Sequence, residues 1–145
     1  MILDERTELA DALAVTVTAI TDVIDLGASP TLRNLAGGPD NLWLVVSVDT
    51  AFTAGGAATL TLSLDSDSTA DLATSATAHF VSPAIAVATL VAGYVAAVVP
   101  VPSGQYERYL GLRMTVATGP MLTGKLNAFF VNDARKWQAY ADAVA

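Results

Sequence analysis

Apolar and polar positions alternate with a period of two along much of the chain. In "AATLTLSLDSD", Leu60, Leu62 and Leu64 fall on one side and Thr59, Thr61 and Ser63 on the other, the spacing of a strand with one buried face. "RYLGLRMTVATGP" repeats the pattern, with Leu110, Leu112, Met114 and Val116 sharing a face. "LAVTVTAI" sets Val15 and Val17 against Thr16 and Thr18, which predicts a strand over 13–20 that "DVIDLG" continues beyond a kink near Asp22. "LWLVVSVDT" is apolar on both faces until Ser47 and Asp49, which predicts a central strand covered twice. "GKLNAFFVND" predicts the last strand.

Between these segments lie turn-forming residues. "GASPTLRNLAGGPDN" is a Gly, Pro and Asn-rich loop, and "DSTADLATSATAHF" predicts a loop with a short helical turn before a strand near residues 79–81. About eight short strands punctuated in this way predict an all-β protein, a jelly-roll or Greek-key β-sandwich. With no repeat or linker, the expected organisation is one domain over residues 1–145, with an N-terminal arm at 1–12 and a short C-terminal arm at 133–145. In the C-terminal arm, Trp137, Tyr140, Ala141 and Val144 are spaced as a helical stripe. Trp137 and Tyr140, together with Ile2 and Leu3 at the apolar start, are the candidate interface residues, because aromatic anchors carry much of the energy of interfaces.

One stretch competes with this picture. From Leu72 to Tyr106 no Asp, Glu, Lys or Arg occurs, and its centre, "FVSPAIAVATLVAGYVAAVVPVP", has the length of a membrane span. Pro83 and Pro100 bracket only Ala84 to Val99, however, and as a helix that piece would reach about 24 Å against a hydrocarbon core of about 30 Å. Ala84 to Ala88 alternates small and large side chains, and Gly93 stands where a strand turns. The stretch is therefore predicted as two strands of a core.

Composition narrows the function classes. Hydrophobic residues make up 53% and charged ones 14%, too few charges to coat a monomer in the ordinary way, so burial in an oligomer or larger assembly is expected. The net charge of −7 argues against nucleic acid and against an anionic membrane surface, both of which attract Lys and Arg. Without cysteine there is no disulfide framework, thiolate metal site or cysteine nucleophile. The amino terminus "MILDERTELADAL" lacks the basic start and apolar core of a secretory signal.

Candidate chemistry is sparse. Asp65, Asp67, Thr69 and Asp71 in "DSDSTAD" match alternate positions of a calcium loop, but Ala70 replaces the turn glycine and Ala76 the closing glutamate. Asp65, Asp67 and Asp71 are thus weak metal candidates, and a solvated hairpin turn is the preferred reading. His79 is the only histidine, with no nucleophile motif beside it, and is expected to be packed or at an interface rather than catalytic. A carboxylate pair of Glu107 with Glu5 or Glu8 would suit glycoside hydrolysis, though nothing in their spacing predicts it. No catalytic residue is assigned, and the chain is not expected to be an enzyme.

Three stretches, "VVSVDTAFTAGGAATLTLSLDSD", "AIAVATLVAGYVAAVVPVPSGQYERYLGLRMTVATGP" and "LTGKLNAFFVND", together with "MILD" and "AVTVTAITDVIDLG", resemble the capsid cement, or decoration, proteins of tailed bacteriophages. The type is the jelly-roll one first known from a Bordetella phage. The resemblance covers nearly the whole chain. It implies a homotrimer on the outside of the mature head, at threefold positions, assembled in the host cytoplasm and holding major capsid protein subunits together against packaged DNA. It implies no catalysis and no cofactor. The loop "GASPTLRNLAGGPD" and the tail from Trp137 are where members are expected to vary, so no contact residue is carried over. The rival expectation is a carbohydrate- or receptor-binding jelly roll, which would need aromatic platforms drawn from Trp43, Tyr94, Tyr106, Tyr109, Trp137 and Tyr140, residues not clustered in the sequence.

Overall fold

A computed structural model describes residues 5–29 and 42–134. It contains a 3-10 turn at Glu5–Thr7 and strands β1 (Glu8–Ala14), β2 (Ala19–Ile20), β3 (Ile24–Asp25), β4 (Trp43–Ala54) and β5 (Thr59–Asp67). These are followed by β6 (Thr77–Val81), β7 (Ile85–Ala86), a second 3-10 turn at Val87–Thr89, β8 (Val95–Pro100), β9 (Tyr109–Ala117) and β10 (Met121–Val131). One sheet has the order β1-β10-β4-β8; the other has β9 and β5 at its centre, with β2 and β3 both pairing β9, and β6 and β7 both pairing β5. Counting each of those two interrupted pairs as a single strand gives eight. The first pairs the eighth, the second the seventh, the third the sixth and the fourth the fifth, all antiparallel, which is the wiring of a jelly roll. No helix among the described residues is long and apolar enough to cross a membrane.

The period-two faces are where the sequence places them. Leu60, Leu62 and Leu64 of β5 and Leu110, Leu112 and Met114 of β9 are fully enclosed between the sheets, with Leu44, Val46, Leu126 and Ala128 facing them from the other side. Each such leucine, valine or methionine side chain contributes about 1.5–3 kcal/mol relative to exposure. β4 is central and covered on both faces as predicted. Its Val45 has no exposed area and packs with Phe129, Val131, Trp43 and Val98 in a second apolar cluster, apart from the main core.

Several expectations are corrected. Residues 8–12 of the expected N-terminal arm belong to β1, where Leu9 and Ala10 are buried and pairing runs from Glu8–Phe129 to Ala14–Lys125. The strand predicted over 13–20 is instead the end of β1, a bend and the two-residue β2. Val15 is sealed in the core while Val17 is 60% exposed, so their alternation with threonine does not mark one strand face. The cause is the irregular pairing of β1 with β10: Ala12 takes a positive φ of 46°, and its N–H is held by Asn127 Oδ1 at 2.6 Å. Val15 N–H then bonds Gly124 O, and Thr16 O accepts from Met121 N–H, which replaces the ladder. The charge-free stretch forms strands, but they do not pair with each other: β7 joins β5 in one sheet and β8 joins β4 in the other. The turn at Gly93, with φ of 82°, lies within the crossing between sheets. The last strand starts at Met121, earlier than its alternation suggests.

The wiring collects the connections at two ends. Residues 15–18, 55–58, 87–94 and 118–120 lie at one end, as the pairings Met121–Ala54, Thr59–Ala117 and Thr59–Ala86 require. Residues 68–76 and 101–108 lie at the other, where Asp67 pairs Tyr109 and Pro100 pairs Trp43. Among the described strands, β8 forms an edge. Val101 N–H bonds Leu42 O, and the alternation this sets turns the backbone groups of Ala96, Val98 and Pro100 outward.

Candidate functional site

Most of the polar side chains singled out in the sequence gather at the second end, and the loop over 68–76 organises them. Asp65 and Asp67 continue the outward parity of β5, yet both are buried, so the solvated-turn reading holds for the exposed residues 68–71 and is corrected at these two carboxylates. The loop turns at Leu72, φ 50°, and this side chain is fully buried against Gly111. A Cβ on Gly111 would lie 2.8 Å from Leu72 Cδ1, so the missing side chain makes the seat for the loop. Arg113 on β9 donates through Nε to Asp65 Oδ2 at 2.7 Å and through Nη2 to the Leu72 carbonyl. Asp65 Oδ1 is buried with no hydrogen-bond partner.

Asp67 works on the same loop. Its Oδ1 accepts from the Ser75 hydroxyl at 3.0 Å, the Ser68 hydroxyl and the Thr69 N–H, and its Oδ2 accepts from Ser75 N–H. Burial raises the carboxyl pKa, but the bonds from Ser75, Thr69 and Ser68 outweigh it and hold the group down at about 2. Asp71 accepts from the Thr69 hydroxyl and Ala73 N–H. The three weak metal candidates therefore do not converge on a common point, and no cluster of three potential ligands occurs among the described residues.

Beside this loop, His79 is half-buried on β6. Its ring lies 4.0 Å from that of Tyr106, and its Nε2 is 2.7 Å from Ser66 Oγ. Ser66 Oγ also accepts from Glu107 N–H at 3.1 Å, while the Glu107 carboxylate accepts from the Thr77 hydroxyl. Burial lowers the His79 pKa, opposed by the charges of Asp65 and Glu107. Tyr106, whose hydroxyl donates to Pro102 O at 2.5 Å, is pushed up to about 12 by burial.

The serine beside His79 escaped sequence reasoning, although Ser66 continues the inward parity of Leu60, Leu62 and Leu64. A hydroxyl on a histidine resembles half of a nucleophilic pair, but a nucleophile must meet its substrate. Ser66 has no exposed area, and its hydroxyl already serves His79 and the Glu107 backbone. The contact ties β5, β6 and the segment before β9 together. Glu107 is not brought to Glu5 or Glu8, which line a separate hollow with Arg6, Asp22 and Asp25. Ile2, Leu3, Trp137 and Tyr140 lie outside the described residues.

The opposite end has another character. Its four connections, Val15–Thr18, Gly55–Ala58, Val87–Tyr94 and Thr118–Pro120, contain no ionisable acid or base apart from the Tyr94 phenol. Val17, Val91 and Leu122 stand 55–64% exposed there, and a shallow hollow of about 420 Å³ is lined by Val17, Thr18, Val116, Gly119 and Pro120.

The class defined by these features is a rigid jelly-roll sandwich whose polar side chains chiefly secure its own loops. The family follows from comparison with known proteins: the chain belongs to the Bbp16 family, whose model matches residues 9–130, from β1 through β10. That family is named after a Bordetella phage protein, which is compatible with a structural role in a virion. Among curated proteins none matches the chain.

Proposed function

We propose that the protein is a capsid cement protein of a tailed bacteriophage. It sits as a homotrimer on the outside of the mature head at threefold positions, where it joins major capsid subunits and resists the pressure of packaged DNA. It uses no cofactor and catalyses no reaction. The observation that carries this reading is the family match across the entire sandwich, from Leu9 in β1 to Phe130 in β10. The mechanism is additive contact: identical copies around an axis present each modest patch at high effective concentration, so avidity replaces one tight interface. Two interlocked sheets supply the stiffness that such a brace needs.

The rival carbohydrate- or receptor-binding reading finds less support. Tyr106 is buried, Trp43 packs into the second apolar cluster and Tyr109 lies under the Arg108 guanidinium at 5.0 Å. They do not form an exposed aromatic platform. The deciding experiment mixes the purified protein with undecorated mature heads and with immature proheads and sediments each. Co-sedimentation with mature heads is expected; absence from both pellets would overturn the proposal, and binding on a glycan array would favour the rival.

A further inference from the structure

We infer that the uncharged end of the sandwich is the surface through which copies of this chain meet. The inference rests on the homo-oligomer in the proposed function and adds where its subunits touch. The chain carries a net charge of −7, so two copies repel each other over most of their surface, within a screening length of about 8 Å at physiological salt. At the end formed by residues 15–18, 55–58, 87–94 and 118–120 there is nothing to repel.

Backbone contacts make that end continuous. Thr16 O accepts from Met121 N–H, Met121 pairs Ala54, Phe52 N–H bonds Leu90 O, and Val87 N–H bonds Ala58 O. Val17, Val91 and Leu122 are therefore set on one connected rim, and Val17 also lines the hollow over Gly119 and Pro120. Along this sheet the nearest charges are Asp49 and Lys125, which border the end without entering it: Lys125 lies across from Thr50 on one side and Ala14 on the other. Exposed apolar residues grouped on one surface mark a contact. A basic partner would gain more at the other end, beside Asp25, Asp71 and Glu107, so charge selects a second copy of this acidic chain as the occupant here.

The test uses the full chain and two variants, Leu122→Glu and Val17→Glu, placed at exposed positions so that folding is retained and checked by circular dichroism. Masses are measured by analytical ultracentrifugation at low and high salt. The wild type is expected to be oligomeric at both, and each folded variant to associate about 100-fold more weakly, since a like charge in a contact costs several kcal/mol. Folded variants that associate like the wild type, or a wild type that falls apart as salt is raised, as an interface held by charge pairs does, would overturn the assignment. Head binding is scored separately. An oligomeric wild type that ignores mature heads removes the cement function and leaves the interface standing, and head-binding variants that still oligomerise do the reverse.

Discussion

The two ends of the sandwich solve the same problem with different chemistry. Both must close a two-sheet core where strands stop and backbone groups lose their ladder partners. The end bearing residues 68–76 and 101–108 closes with side chains: Arg113 on Asp65, the Ser75 group on Asp67, Ser66 on His79 and Tyr106 on Pro102. The uncharged end closes with backbone bonds and close packing. Val15 and Met121 are tied to strand and loop carbonyls, and the Phe52 ring lies directly over Gly124. The lesson is that an end closed by its own backbone needs no charged side chains, which leaves its outer surface free for apolar contact.

Breaking the packed end should have the largest effect. Gly124 has φ of 142°, and a Cβ there would stand 2.2 Å from the Phe52 ring. Gly124→Ala adds overpacking to a strained backbone and should cost about 3–5 kcal/mol, read as a lowered urea midpoint. An effect below about 1 kcal/mol would mean that the ring has room to move away.

At the polar end the counterpart is Arg113→Met, which leaves Asp65 buried without a counter-charge. The expected loss is about 3 kcal/mol. Adding Asp65→Leu should recover most of it, because a buried pair is worth little more than the apolar side chains that replace both members. If the double variant is as unstable as the single, the ion pair holds the loop specifically.

A smaller effect separates the ends by pH. The folded His79 pKa lies below the ordinary histidine value of 6.5, so the unfolded chain takes up that proton first. Stability from this group is present above pH 6.5 and is lost as pH falls through that value toward the folded pKa. Thermal melts of the wild type should therefore decline across this window, and His79→Gln should flatten the decline. Equal slopes for both proteins would assign the dependence to other groups.

The least effect is expected from Asp25→Ala. Arg108 and Asp25 meet at 2.8 Å, but their side chains are 41% and 45% exposed, and solvent screening leaves such pairs contributing little to stability. A shift in melting temperature larger than that of Arg113→Met would invert the ranking.

What could be read from the sequence follows the same division. β5 and β9 were legible because each has one core face, so parity alone assigns Leu60 through Leu64 and Leu110 through Met114. β1 was not, because its register shifts on β10 and the positive φ at Ala12 erase any period. The burial of Asp65 and Asp67 was hidden for another reason: it depends on a loop folding back onto Gly111, a contact between positions about forty residues apart. The jelly-roll wiring is longer in range still, since β1 pairs β10 across nearly the whole chain. The candidates Asp65, Asp67 and Asp71 failed as a metal set because each carboxylate is engaged separately, by Arg113, by Ser75 and by Thr69.

The outward turn of the β8 edge has a consequence for solubility. A short apolar edge with free N–H groups is a template on which identical chains can add strands without limit. Such growth would compete with any closed assembly, and crowding many copies onto one surface would favour it. Pro100 occupies an outward position of that edge and has no N–H to offer, so a ribbon started at Ala96 and Val98 stops within one step.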